Sequence, residues 1–218
     1  MFLSVFDMFK VGIGPSSSHT MGPMVAAERF LTSLRQDEKI PGAGTLASVS
    51  VTLHGSLAWT GKGHHTDRAV MLGLLGEAPD RLDPDAAEGL LAALAKRRKI
   101  THDGLPDIAF NPETDLTFDF GKPLPLHANA LTFRAFDEAG NPFMTETYYS
   151  VGGGFVQTEA ELTAPPISIG AEKRAMGYPH PFGSAEEMLA MGRKAGLSIA
   201  QMKRENENAH GVGDLDAR

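Results

Sequence analysis

The chain has 218 residues, 42% of them hydrophobic and 22% charged, a composition typical of a folded globular protein. Its 20 Lys and Arg against 27 Asp and Glu leave a net charge of −7, which argues against nucleic acid as a partner, since phosphate binding needs clustered cations. No apolar run approaches the ~18 residues of a membrane span and the first residues lack the features of a secretory signal, so we expect a cytoplasmic protein with no membrane partner. Cysteine is absent, which removes disulfides, a thiolate nucleophile and a Cys-ligated cluster built from this chain.

In chain order, a first helix is predicted over residues 22–36, with Val25, Ala26, Phe30, Leu31 and Leu34 recurring on one face. Residues 46–53 alternate as a half-buried strand does, Val49, Val51 and Leu53 on one side and Ser48, Ser50 and Thr52 on the other, and His54-Gly55-Ser56 ends it. A second helix is predicted over 66–76, carrying Ala69, Val70, Leu72, Leu74 and Leu75. A third starts with Asp83 as N-cap and Pro84 at the first helical position, and includes Leu90, Leu91 and Leu94. The basic run Lys96-Arg97-Arg98-Lys99 falls at its end, where cations complement the unpaired carbonyls.

From 114 to 162 the pattern turns to strands: 116–120, 130–136, 143–151 and 155–162, with Asp137 to Pro142 as a hairpin connection, which predicts an antiparallel pairing. Residues 164–184 are rich in Pro and Gly and read as a linker. Ser184 with Glu187 and Ser198 with Gln201 have capping-box spacing, so two helices follow, separated at Gly196. No βαβ rhythm or repeat is present, so the predicted class is α+β, an antiparallel or mixed sheet with packed helices. We divide the chain into one domain over 1–165 and a linker with helices over 166–218; the end after Gly211-Val212-Gly213 reads as a domain boundary.

The most informative segment is the run Gly14-Pro15-Ser16-Ser17-Ser18-His19-Thr20 immediately before the first helix. Glycine and proline frame a tight loop there, so backbone N–H groups and hydroxyls converge on one small volume at a helix start, where partial positive charge favours an anion, either a carboxylate or a phosphate. A simple helix cap needs one such hydroxyl, not four. His19 adds a further donor, or a full charge when protonated.

A second glycine-rich turn, Thr60-Gly61-Lys62-Gly63-His64-His65-Thr66-Asp67, leads into the second helix and places His64, His65, Thr66 and Asp67 at or near its first turn. It lacks the spacing of a phosphate loop. His64 and His65 are adjacent and diverge by about 100° on a helix, so we expect no metal site. A histidine acting as general acid or hydrogen-bond donor suits this turn better. Asn129 precedes a strand and is equally readable as a turn residue. The triplet Gly152-Gly153-Gly154 marks either a bend or a backbone lying against a ligand. His54, His102, His180 and His210 are read as loop residues.

These residues carry a resemblance. Ser4-Val5-Phe6-Asp7, the run from Ile13 to Met24, Leu53-His54-Gly55-Ser56-Leu57, Thr60 to Asp67, His127-Ala128-Asn129-Ala130 and Tyr149 to Phe155, in this order, resemble the β domain of bacterial iron–sulfur L-serine dehydratases. The resemblance extends to Asn206-Glu207-Asn208. It implies a lyase that converts L-serine to pyruvate and ammonia without pyridoxal phosphate, with a [4Fe–4S] cluster as Lewis acid for the departing hydroxyl. The cluster cysteines would sit in a second domain or subunit, outside this chain, which alone would bind no cofactor and be inactive.

The implied partners are L-serine, that cluster-bearing domain and further copies of the protein in a homo-oligomer. The implied fold is similar to the allosteric substrate-binding domain of phosphoglycerate dehydrogenases. By the same resemblance, Ser16, Ser17, Ser18 and Thr20 surround the substrate carboxylate together with His19, His64 is the acid/base candidate, and Thr66, Asp67, Asn129, Ser150, Gly152 and Gly153 complete the site; His65 is given no role. Two other readings compete: a binding module that senses a small carboxylate or phosphate without chemistry, and a His/Asp metal hydrolase.

Overall fold

The structure, a computed structural model, describes residues 12–36, 39–165 and 169–209. The motif at residues 4–7, His210 and the glycine-rich ending lie outside them. The chain divides into two compact units, the larger Lys10–Thr163 and the smaller including Ala164 onward.

The larger unit is α+β. Its strands are β1 (Leu46–Gly55), β2 (Lys99–Ile100), β3 (Ile108–Ala109), β4 (Leu116–Asp119), β5 (Asn129–Asp137), β6 (Pro142–Gly152) and β7 (Phe155–Thr158). They form one seven-stranded sheet in the order β2-β3-β1-β5-β6-β7, with β4 also beside β1. The sheet is mixed: β3 and β4 both run parallel to β1, while β1-β5-β6-β7 is antiparallel throughout. The expected all-antiparallel pairing of the later strands therefore fails at β4, which bonds to β1, Val51 opposite Leu116, instead of joining a hairpin with β5.

Alternation in β1 works as expected. Val49, Val51 and Leu53 are buried, and Val51 and Leu53 sit opposite Phe133 and Leu131 of β5. Against this face packs α1 (Gly22–Arg35), through Ala26, Ala27, Phe30, Leu31 and Leu34. Phe30 stacks on Phe133 with ring centroids 4.9 Å apart, and Phe133 meets Tyr148 of β6 edge-on at 5.8 Å; such pairs contribute ~0.5–1.5 kcal/mol each beyond their buried area. The next helices are α2 (Ser56–Trp59) and α3 (Thr66–Leu74). α3 lies tightly on α1: a Cβ added at Gly73 would stand 2.4 Å from the Met24 carbonyl oxygen and 2.7 Å from Ala27 Cβ.

Several boundaries differ from the sequence expectation. α4 (Ala87–Arg97) begins after Asp83 and Pro84, because Asp83 Oδ1 accepts from the Asp85 amide and folds those residues into a preceding turn. The last predicted strand stops at Thr158, and α5 (Glu159–Thr163) takes its second half. The cause is an overlooked capping box: the Glu161 amide donates to Thr158 Oγ1 while the Thr158 amide donates to Glu161 Oε2. His54 is not a loop residue but a buried member of β1, its ring between Asp119 Oδ2 (3.1 Å) and Thr132 Oγ1 (3.1 Å). The triple glycine turns β6 into β7: Gly152 pairs with Phe155, leaving Gly153 and Gly154 as a two-residue loop with φ 60° and 73°, the positive pair that a type I′ hairpin demands.

In the smaller unit, the region read as a linker contains α6 (Ile169–Ala175). It is followed by α7 (Ala185–Ala195) and α8 (Ile199–Ala209). Their starts are capped as expected: Ser184 Oγ accepts from the Glu187 amide, and Ser198 and Gln201 exchange hydrogen bonds. Gly196 stops α7 at φ 66°. Among the described residues, no helix is long and apolar enough to cross a membrane.

Candidate active site

The serine run is helical, not a loop. Ser16 is the N-cap of a π-helical turn over Ser17–Met21 that continues directly into α1. Its carbonyl accepts from the amides of Thr20 (3.0 Å) and Met21 (3.3 Å), and its Oγ accepts from the His19 amide (3.2 Å). The amides of Ser17 and Ser18 precede the first helical hydrogen bond, so the helix itself gives them no acceptor, at its positive end. Ser17 is exposed, Ser16, Ser18 and His19 half-buried, and Thr20 buried.

Two side chains clasp this turn to the second glycine-rich segment. Thr20 Oγ1 donates to the His64 carbonyl at 2.9 Å, and Thr66 Oγ1, fully buried, donates to the His19 carbonyl at 2.6 Å. The exchange sets the His19 and His64 rings with centroids 4.8 Å apart, inclined by 38°. His64 lies in the turn before α3, not on the helix. Its Nδ1 is 2.9 Å from the Thr60 carbonyl oxygen. A carbonyl only accepts, so Nδ1 carries the proton in the neutral ring and Nε2 presents a lone pair.

His19 is held between hydroxyls, Ser18 Oγ at 2.9 Å from Nδ1 and Ser56 Oγ at 3.0 Å from Nε2. Its pKa lies below the ordinary histidine value, first because burial disfavours the charged ring and then because His64 stands beside it. His65 occupies the left-handed region at φ 56° and is exposed, apart from this pair.

Ser150 reaches the same place from β6. It is fully buried, and among the described residues its Oγ has no hydrogen-bond partner. It lies against the junction of the π turn and α1, where a Cβ on Gly22 would be 2.0 Å from it. Asn129, at the start of β5, donates from Nδ2 to the Ser150 carbonyl (3.3 Å), and its amide donates to His127 Nδ1 (3.1 Å). Asp67 is committed differently, with Oδ2 2.6 Å from Lys62 Nζ and Oδ1 accepting from the Arg68 amide. Gly152 and Gly153 serve the hairpin geometry described above.

Sequence reading missed Ser56 and Thr60 as parts of this arrangement. Ser56 stood within the Leu53–Leu57 motif and was given no role, while Thr60 acts through its carbonyl, which no side-chain pattern reports. Among the described residues, no group of three or more His, Asp or Glu side chains is placed to hold a metal ion. With no cysteine in the chain, its donors do not fit an iron–sulfur cluster.

Comparison with known proteins agrees with the resemblance. The family described as serine dehydratase beta chain matches residues 4–161. An L-serine dehydratase of Streptomyces coelicolor is 43% identical over 209 residues, covering 96% of this chain and 44% of that protein. One of Helicobacter pylori is 42% identical, covering 94% of this chain and 43% of its own length, and L-serine dehydratase 1 of Escherichia coli is 37% identical, covering 98% and 45%. The chain thus spans less than half the length of these curated relatives. Since the family match runs unbroken through the serine run, the histidine turn and the glycine hairpin, the chain belongs to the serine dehydratase beta chain family.

Proposed function

We propose that this chain supplies the substrate-binding and acid/base half of an L-serine ammonia-lyase, completed by a partner domain or subunit that bears a [4Fe–4S] cluster. The observation that carries the reading is the clasped histidine pair beneath the serine turn, in which Thr60 fixes the His64 tautomer and leaves Nε2 as a base. The L-serine dehydratase names of the relatives support the substrate, and a chain without cysteine is consistent with a cluster held by the partner.

Serine's carboxylate binds at the amides of Ser17 and Ser18 with the hydroxyls of Ser16 to Ser18 around it. The α-proton of serine is weakly acidic, so charge delocalising toward the carboxylate as it leaves must meet preorganised donors, which the helix start offers without reorganisation. His64 Nε2 takes that proton, and His19, its ring nitrogens held by the Ser18 and Ser56 hydroxyls, packs beside the base and limits its motion. Loss of the α-proton and the β-hydroxyl leaves an enamine, which tautomerises to the imine and hydrolyses to pyruvate and ammonia. A polar group of the substrate reaching Ser150 would satisfy a buried hydroxyl that otherwise costs ~1–3 kcal/mol. Thr66 and Thr20 act through the clasp, Asn129 supports the Ser150 backbone, and Asp67 holds the turn through Lys62. In fold, the domain is expected to superpose on the allosteric substrate-binding domain of phosphoglycerate dehydrogenases.

The test is anaerobic reconstitution of the chain with the cluster-bearing portion of a relative, followed by serine-dependent pyruvate formation. Activity should appear on mixing and fall ~10²–10⁴-fold with His64→Gln. A folded, cluster-loaded mixture without activity would sink the proposal. Tight serine binding by the chain alone, with no turnover on pairing, would favour the sensor reading instead.

A further inference from the structure

A single helical turn reaches both histidines. α2 starts at Ser56, whose Oγ is 3.0 Å from His19 Nε2, and is capped by Thr60, whose carbonyl accepts from His64 Nδ1 at 2.9 Å. Thr60 is tied back to Ser56, since its amide (3.0 Å) and its hydroxyl (2.8 Å) both donate to the Ser56 carbonyl. The path from one imidazole to the other is therefore a closed set of short bonds within five residues of chain, 56–60.

The sheet fixes where this turn begins. The Ser56 amide donates to the Ala128 carbonyl at 2.9 Å, just before β5. Gly55 makes the approach possible at φ 55° and ψ −127°, where a Cβ would stand 2.3 Å from the same oxygen. Ser56 thus inherits its position from the sheet and passes it to His19.

We propose that Ser56 is a positioning residue of the site: through its hydroxyl, α2 holds the His19 ring in register with the His64 base. The proposal rests on the reading of His64 as that base. A neutral imidazole has one N–H and one lone pair, and a hydroxyl answers either. With Ser18 at Nδ1 and Ser56 at Nε2, the ring is pinned at both ends, and rotation about its Cβ–Cγ bond would break both contacts. Losing Ser56 frees the Nε2 end and lets the ring turn within its 4.8 Å contact with His64. If Ser56 merely started a helix, His19 would not respond to its hydroxyl.

The experiment uses the full 218-residue chain with ¹⁵N-labelled histidine and reads ring nitrogen shifts by long-range ¹H–¹⁵N NMR at a pH where the rings are neutral. Ser56→Ala should move both His19 ring nitrogens toward the shifts of a freely exchanging tautomer mixture, while His64 keeps its Nδ1–H signature; Ser56→Thr should restore the wild-type His19 shifts. Unchanged His19 shifts in folded Ser56→Ala would overturn the proposal. A second measurement guards against a variant that does not fold: the wild-type chain should show a nuclear Overhauser contact between Ser56 Hβ and the His19 ring, and its absence would overturn the proposal equally. Neither reading needs substrate or cluster, so an inactive reconstituted enzyme would count against the function and leave this result standing. In an active enzyme, Ser56→Ala should lower kcat ~10- to 100-fold with KM little changed, the mark of lost orientation, and a loss confined to KM would count against positioning.

Discussion

The fold acts directly on the charge state of His19. In an unfolded chain its ring titrates near pH 6.5, whereas burial and the neighbouring His64 hold the folded ring below that value. As pH falls below about 6.5 the unfolded state therefore binds more protons than the folded one. The stabilising effect of the neutral ring is complete above that pH and drains away as pH drops through the folded value. Urea titrations between pH 7.5 and 5 should show this loss in the wild type and a flatter profile in His19→Gln; parallel profiles would refute the assignment. Thr66 offers a second check. Its fully buried hydroxyl donates to the His19 carbonyl at 2.6 Å, so Thr66→Val leaves a backbone acceptor without that bond at almost constant volume. The expected loss is ~1–3 kcal/mol in the urea midpoint, and an unchanged midpoint would show that the clasp is dispensable.

At the scale of elements, the site depends on how closely α1 and α3 approach, because the serine turn feeds one and the histidine turn feeds the other. Gly73 sets that approach. Replacing it with alanine brings two opposed effects: alanine favours the helix by ~0.8–1 kcal/mol over glycine, while the new Cβ meets the Met24 carbonyl at 2.4 Å. That oxygen belongs to buried backbone and cannot swing aside, so overpacking at ~1–3 kcal/mol should win. Thermal melting of Gly73→Ala should show net destabilisation, and a more stable variant would mean that the two helices part freely. The α1 and α3 patterns were legible in sequence because a helical stripe repeats within a few residues, as was the two-residue alternation of β1. The parallel partnership of β4 with β1 was not, since it joins segments about 65 residues apart and leaves no local pattern. The same holds for the site. The serine run and His64 were recognisable one by one, and Ser150 only through the family resemblance, but the clasp joins residues 44 and 47 positions apart, and the Ser56 contact spans 37. Short-range chemistry misled in the other direction at Asp83, where a good N-cap residue spends its carboxylate on a turn.

For the whole molecule, the division of the chain predicts which part holds the fold and the site. Both buried clusters draw their residues from positions 24 to 156, and every proposed site residue from Ser16 to Gly153 lies in the same larger unit. The smaller unit has its own ties: Asn206 accepts from the His180 amide and donates to its carbonyl, and Lys173 Nζ donates to the Phe182 carbonyl. Cooperative melting follows the packed core, because burial of apolar side chains is the main favourable contribution to folding. A chain ended after Thr163 should therefore keep a single sharp thermal transition by circular dichroism. It should also keep the NMR signature of the His64 tautomer, since Thr60 and His64 remain within it. A broad, non-cooperative transition would show that the helices beyond residue 163 complete the core and would break the proposed domain boundary. A sharp transition with a lost His64 signature would separate the two properties, placing the stability in the larger unit while making the geometry of the histidine pair depend on the rest of the chain.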